Sequence, residues 1–232
     1  MLVLWAGPAA AGPDVRIGGR VGAEWNLLQK PTDPEGAPTL MSGTAFEGIG
    51  VTAGPTLALV FPAFEAESLR AGLLTGLSYA RHRAKGFERD RNSPAERVAT
   101  LTTHAVHVSA MGTLFWQLGG GELRWGLGAA LMHGLASDAT VELHHADGEP
   151  GRLSTATTTH VPLVGSIAYR IRASERVGIP IEWRVAWDPW VGDSTVDRFR
   201  NFQPRSPYGD YEVAFDWRIA VMIGMEWRLT GD

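Results

Sequence analysis

The chain has 232 residues, 44% of them hydrophobic, no cysteine and a formal net charge of −4. Its pI near 6.0 leaves no basic footprint for nucleic acid, and the missing cysteines exclude disulfide and thiol chemistry. No stretch offers the roughly 18 consecutive apolar residues of a membrane-crossing helix. That removes a helical membrane protein but not a barrel, which hides its apolar residues by alternation.

In chain order, Met1–Gly12 comes first. A short apolar run, Leu2–Ala6, precedes Ala9, Ala10 and Ala11, so 1–12 reads as the remnant of an export signal or a disordered tail. The remainder, 13–232, reads as one barrel domain. Successive side chains of a strand point to opposite faces, and eight segments alternate accordingly. Val15–Leu27 sets Val15, Ile17, Val21 and Trp25 against Arg16, Arg20 and Glu24. Thr44–Phe61 sets Ile49, Val51, Leu57, Leu59 and Phe61 against Gly48, Gly50 and Thr52. Ser68–His82 sets Leu69, Leu73, Leu77 and Tyr79 against Arg70, Gly76 and His82. Val98–Gln117 is clean only over Val106, Val108, Leu114 and Trp116. Glu122–Ala136 sets Leu123, Trp125, Leu127 and Leu131 against Arg124. Thr155–Ile171 sets Val161, Leu163, Ile167 and Tyr169 against His160 and Arg170. Val177–Trp187 sets Ile179, Ile181, Trp183 and Trp187 against Glu182 and Arg184. Tyr211–Leu229 is the longest unbroken case, with Ile219, Val221, Ile223, Met225 and Trp227 against Glu212, Asp216, Arg218, Glu226 and Arg228. Pro162 and Pro180 fall inside expected strands, where each costs a ladder donor.

The charges sort by face. Arg16, Arg20, Glu24, Glu47, Arg70, Arg124, Arg170, Glu182, Arg184, Asp188, Glu212, Asp216, Arg218, Glu226 and Arg228 are assigned to the non-apolar side, and Arg81 alone to the apolar one. With eight strands side chains just fill the interior, so these charges are expected to neutralise one another in a closed lumen. Glu182, Arg184, Asp216 and Arg218, on the last two strands, are expected to pair. Connections alternate between short ones (62–67, 118–121, 172–175) and long ones (29–43, 83–97, 137–154, 189–210), as periplasmic turns and extracellular loops do. Outward aromatics fall in two belts, as rings at membrane interfaces do. Phe61, Trp116, Trp125, Tyr169 and Trp227 sit near the short-turn end, and Trp25, Tyr79 and Trp187 near the other. The third long connection reads as a protruding hairpin turning at Asp147-Gly148.

The pattern resembles the small eight-stranded outer-membrane barrels of Gram-negative bacteria of the OmpA and OmpX type, over about residues 14–229, with Leu123–Leu135 and His160–Ile171 looking like strands of that superfamily. The resemblance implies an all-β, closed, antiparallel up-and-down transmembrane barrel in the bacterial outer membrane. Its partners would be the lipid bilayer, lipopolysaccharide and the insertion machinery. The chain departs from the usual aromatic ending, since Trp227 and Leu229 are followed by Thr230-Gly231-Asp232. No cofactor, metal or nucleic acid is expected.

His107 and Ser109 share a face, as a base and a hydroxyl nucleophile must, but on the inward side. His144 and His145 lie near Asp138, Glu142 and Asp147, yet adjacent residues of an extended chain point apart, so a solvated loop is the better reading. The reading reached is a structural or surface-interaction barrel with loops 137–154 and 189–210 offered to an extracellular ligand. The alternatives are a narrow pore, a lipid A-modifying barrel enzyme, or a soluble lipocalin-like barrel with its faces reversed.

Overall fold

The computed structural model describes residues 12–27, 42–61, 68–89, 96–135, 137–144, 151–155, 158–189 and 217–229. The strands are β1 (Asp14–Leu27), β2 (Ser42–Val60), β3 (Leu69–Arg89), β4 (Glu96–Leu118), β5 (Gly121–Leu135), β6 (Ser137–His144), β7 (Gly151–Thr155), β8 (Thr158–His160), β9 (Leu163–Arg172), β10 (Val177–Trp187) and β11 (Trp217–Arg228). β1 pairs with both β2 and β11, and β4 with β5, so β1–β5 and β9–β11 close into an eight-stranded antiparallel barrel.

The ladder defines the stagger. From Arg81 it passes through Val51, Ala23, Val221, Trp183, Ile167, Trp125 and Leu114, and regains β3 at Ala71, ten residues lower. Such a stagger tilts the strands by roughly 35–45°. Closure leaves no open edge around the ring, which is what a spanning sheet in lipid requires. Among the described residues no helix is long and apolar enough to cross a membrane.

Two short turns are fully described. Gly119, at φ 57°, opens the two-residue turn between β4 and β5, where a side chain would be strained. Between β9 and β10, Val177 N donates to Ser174 Oγ while its carbonyl accepts from Ala173 N and Ser174 N. Both prolines are accommodated at interruptions. Pro162 separates β8 from β9, its carbonyl still accepting from Ala130 N. Pro180 pairs toward β9 but falls in a gap of the β10–β11 ladder.

The barrel departs from expectation in its upper half. Residues 83–97 are largely strand, β3 and β4 staying paired up to Arg89 and Glu96. β6 adds to β4 over Glu96–Leu101 and β7 adds to β6, so the wall continues past the ring on one side, as the hairpin reading of 137–154 implies. The register also corrects Glu47. It pairs with Leu27 and Lys85, on the face shared by Ile49 and Val51, not the charged one. Residues 1–11, 28–41, 190–216 and 230–232 lie outside the described residues, and with them Glu212 and Asp216.

The faces separate as inside and outside. Leu127 is 74% exposed and Trp183 61%, whereas Arg124, Glu122, Glu182 and Glu226 are at most 2% exposed. A lipocalin-like barrel would bury the first set and expose the second, so that alternative fails.

Candidate functional site

Charge is concentrated in the lumen, and alternation puts it there. In β1 the even positions face inward, so Asp14, Arg16, Arg20, Glu24 and Asn26 are all buried. Inward glycines make room for the long arginines. A Cβ at Gly178 would fall on the guanidinium of Arg170, and one at Gly224 on the carbonyl of Gly19 and the side chain of Arg20.

The lower cluster lies toward the short-turn end. Arg16 donates from Nε and Nη2 to Asp14 Oδ2 at 3.0 and 2.8 Å and from Nη1 to Glu122 Oε1 at 2.6 Å. Glu122 also accepts from Arg124 Nε at 2.9 Å and Gln117 Nε2 at 3.1 Å, with Arg70 Nη2 at 3.4 Å. Arg124 then forks onto Glu226, Nη1 to Oε1 at 2.7 Å and Nη2 to Oε2 at 2.6 Å, the bidentate geometry that fits guanidinium to carboxylate. Glu226 further accepts from Arg20 Nη2 at 3.1 Å and faces Arg170 Nε at 3.4 Å. Arg20 reaches Glu182 with its other nitrogen, and Arg184 Nε donates to Glu182 at 3.1 Å. Arg228 Nε closes the set on Asp14 Oδ1 at 3.0 Å. Phe115, wholly buried, lies between Arg16 and Arg124, whose guanidinium carbons are 5.6 and 5.3 Å from its ring centroid, within cation–π range.

The upper cluster is smaller. His82 Nε2 is 3.1 Å from Glu24 Oε1, Arg218 Nη1 is 3.5 Å from the same oxygen and 3.1 Å from His107 Nε2, and His160 Nδ1 is 3.2 Å from Asp188 Oδ2. His107 and Ser109 are both buried in the lumen, so neither reaches lipid. His107 is held against Arg218, an arrangement that orients it toward a cation rather than a hydroxyl. Among the described residues no group of histidines and carboxylates could hold a metal ion. His144 ends β6, and His145 lies outside the described residues.

The structure thus brings together Arg16, Arg20, Glu24, Arg70, Arg124, Arg170, Glu182, Arg184, Arg218, Glu226 and Arg228 on the inner face. Arg184 meets Glu182 as expected, and Glu182 is shared with Arg20 of β1. Arg218 has Glu24 beside it, on the neighbouring strand β1, and Asp216 lies outside the described residues. Alternation specifies a face, but the tilt decides which strands meet across the interior. Asp14, Glu122 and Phe115 belong to the network and were missed. Each has the parity of its inward neighbours Arg16, Arg124 and Thr113, which is the signal that could have found them.

The outward aromatics Trp25, Phe61, Tyr79, Trp116, Trp125, Tyr169, Trp187 and Trp227 are all exposed on the outer wall. Trp217 joins them, stacked on Trp187 with ring centroids 5.7 Å apart. At this tilt each residue climbs about 2.5 Å, and the ten-residue stagger sets relative heights. Trp25, Trp187 and Trp217 fall level with one another, and Phe61, Trp116 and Trp227 about 25 Å below, the height of a barrel's apolar band. Trp183 falls between the belts.

No family model and no curated protein matches the chain. Among solved structures it is similar to the Neisserial surface protein A NspA (11% identity, 95% of this chain and 99% of that one, TM-score 0.41). It is similar also to Ail, the attachment invasion locus protein of Yersinia pestis (10%, 94% and 99%, TM-score 0.40), and to the outer membrane protein OprG from Pseudomonas aeruginosa (10%, 96% and 98%, TM-score 0.42). The architecture stands on the closed hydrogen-bond register itself. The chain is a closed eight-stranded antiparallel transmembrane barrel, apolar outside and charged within.

Proposed function

We propose that the protein is a sealed outer-membrane barrel serving as a rigid platform at the cell surface, not a conduit. The observation that carries this reading is the cross-linked interior. Arg124, Phe115, Met111, Glu122, Glu182 and Glu226 fill the ring at 2% exposure or less, and eight strands leave no space beyond side chains. Solute passage would require breaking charge-assisted bonds out of water, which is costly. What varies freely on such a scaffold is the loop end, where long loops on rigid barrels carry binding. Loop 137–154, which contains β6 and β7, is one contact surface for an extracellular ligand. Loop 189–210 is the other, and apart from Pro189 it lies outside the described residues. In this reading the outer face meets lipid and lipopolysaccharide, and the chain is delivered by the outer-membrane insertion machinery.

Expression in a Gram-negative host tests this. The full chain should sediment with outer membranes, migrate as a heat-modifiable band, and be cleaved within 137–154 or 189–210 when protease is added to intact cells. Recovery as a soluble protein without detergent would overturn the membrane reading. Cleavage only after the outer membrane is permeabilised would overturn the surface role.

A further inference from the structure

On β3 the outer wall is apolar through the membrane band and turns basic above it. On β3 the outward residues run Leu73, Leu77 and Tyr79, and then Arg81 and Arg83, both exposed. The register places Arg81 between Val51 and His104, and Arg83 between Ile49 and Thr102. Tyr79 meets His104 through its hydroxyl and the Nδ1 nitrogen, which fixes the floor of the patch. Among the described residues no carboxylate pairs with Arg81 or Arg83.

The height of the patch gives it meaning. Arg81 falls in the ladder at the level of Trp25, Trp187 and Trp217, within about 5 Å by the same tilt and rise, and Arg83 one outward position above. Two guanidinium groups therefore stand at the upper aromatic belt, where headgroups begin. Directly below them the wall is bare hydrocarbon: Val51 is 61% exposed, Val108 50% and Leu77 48%. Every arginine of the lumen has carboxylates near it, whereas these two face the lipid boundary. A long cationic side chain there keeps its stem on the apolar wall and lifts its head to the interface. A guanidinium fork matches phosphate oxygens bidentately.

We propose that Arg81 and Arg83, with His104 beside Arg81 and Tyr79 beneath, form a binding site for the phosphate groups of a phosphorylated glycolipid of the outer leaflet, whose acyl chains lie against Leu77, Val51 and Val108. The proposal rests on the outer-membrane orientation argued above and adds a specific lipid site to it. The ligand follows from charge complementarity directly above an acyl-sized apolar wall. A free phosphate would use only the cationic half.

The test compares wild type with R81S/R83S, both folded in detergent and checked as heat-modifiable bands, by native mass spectrometry with bisphosphorylated lipid A. Wild type should retain the lipid about tenfold or more over the variant, as two basic groups near an anionic surface imply. Lipid A stripped of its phosphates should be held equally weakly by both proteins, and millimolar inorganic phosphate should not displace the bound glycolipid. Equal retention of bisphosphorylated lipid A by the folded variant would overturn the site. So would wild-type retention of dephosphorylated lipid A at the same level, or displacement by inorganic phosphate. A wild-type chain that forms no folded band in any detergent would overturn the membrane reading along with it, an outcome distinct from a folded barrel indifferent to the lipid.

Discussion

Glu226 shows what burial demands of a single charge. Seven arginines of the lower cluster, Arg16, Arg20, Arg70, Arg124, Arg170, Arg184 and Arg228, share four carboxylates, Asp14, Glu122, Glu182 and Glu226. Carboxylates are the scarce partner, so losing one strands several cations. Glu226→Gln should therefore destabilise the barrel by about 3–5 kcal/mol, the cost of leaving buried charge uncompensated. Arg70→Met should cost about 1 kcal/mol or less, since Arg70 is one-fifth exposed with contacts of 3.4 and 4.0 Å and water screens it. Urea unfolding in lipid vesicles measures both, and equal losses would contradict a cation-rich cluster. A double substitution, Arg124→Met with Glu226→Gln, should cost less than the sum of its parts, because each partner is expensive chiefly when the other remains. At this scale alternation made the inward arginines legible. Inward carboxylates such as Glu182 and Glu226 were legible with them, but which carboxylate meets which arginine was not, because the meeting of Arg16 with Glu122 is set by the tilt of β5 against β1, which no local pattern encodes.

For a strand, depth decides the cost of a charge on its outer face. On β11, Ile223 and Ile219 are both lipid-facing, but Ile219 stands one outward position below the belt residue Trp217, while Ile223 lies near mid-band. Ile223→Arg should cost about 2–4 kcal/mol and Ile219→Arg closer to about 0–1 kcal/mol, read from folding yields and unfolding midpoints in vesicles. Identical costs would place the belts wrongly. The inner face of the same strand offers no refuge: Ala220 is 4% exposed and pairs across to Glu24 and Arg184, so an arginine there overpacks a filled lumen. Glycines sort in the same way. A Cβ on Gly224 would run into the backbone of β1, whereas Gly165 on the outer face has open space. Gly224→Ala should lose about 1–3 kcal/mol by overpacking and Gly165→Ala almost nothing, a contrast visible in the heat-modifiable band. All eight ring strands were legible from period-two alternation over segments such as Val177–Trp187. The upper end of β3, residues 83–89, was not, because above Tyr79 the outward face turns basic at Arg81 and Arg83 and the apolar signal of the membrane band stops.

As a whole, the molecule holds its lipid-facing wall and its charged filling on opposite faces of one sheet. Closing eight strands with a stagger of ten carries Glu122 of β5, Arg16 of β1 and Glu226 of β11 into one network with Arg124, so the ring and its plug form together. The central claim is that this filling seals the barrel. Single-channel recording on wild-type protein folded into planar bilayers tests it most directly. The sealed lumen predicts a baseline without steady conductance at either polarity, even at high salt, whereas stable, ohmic current steps from the folded wild-type barrel would contradict it.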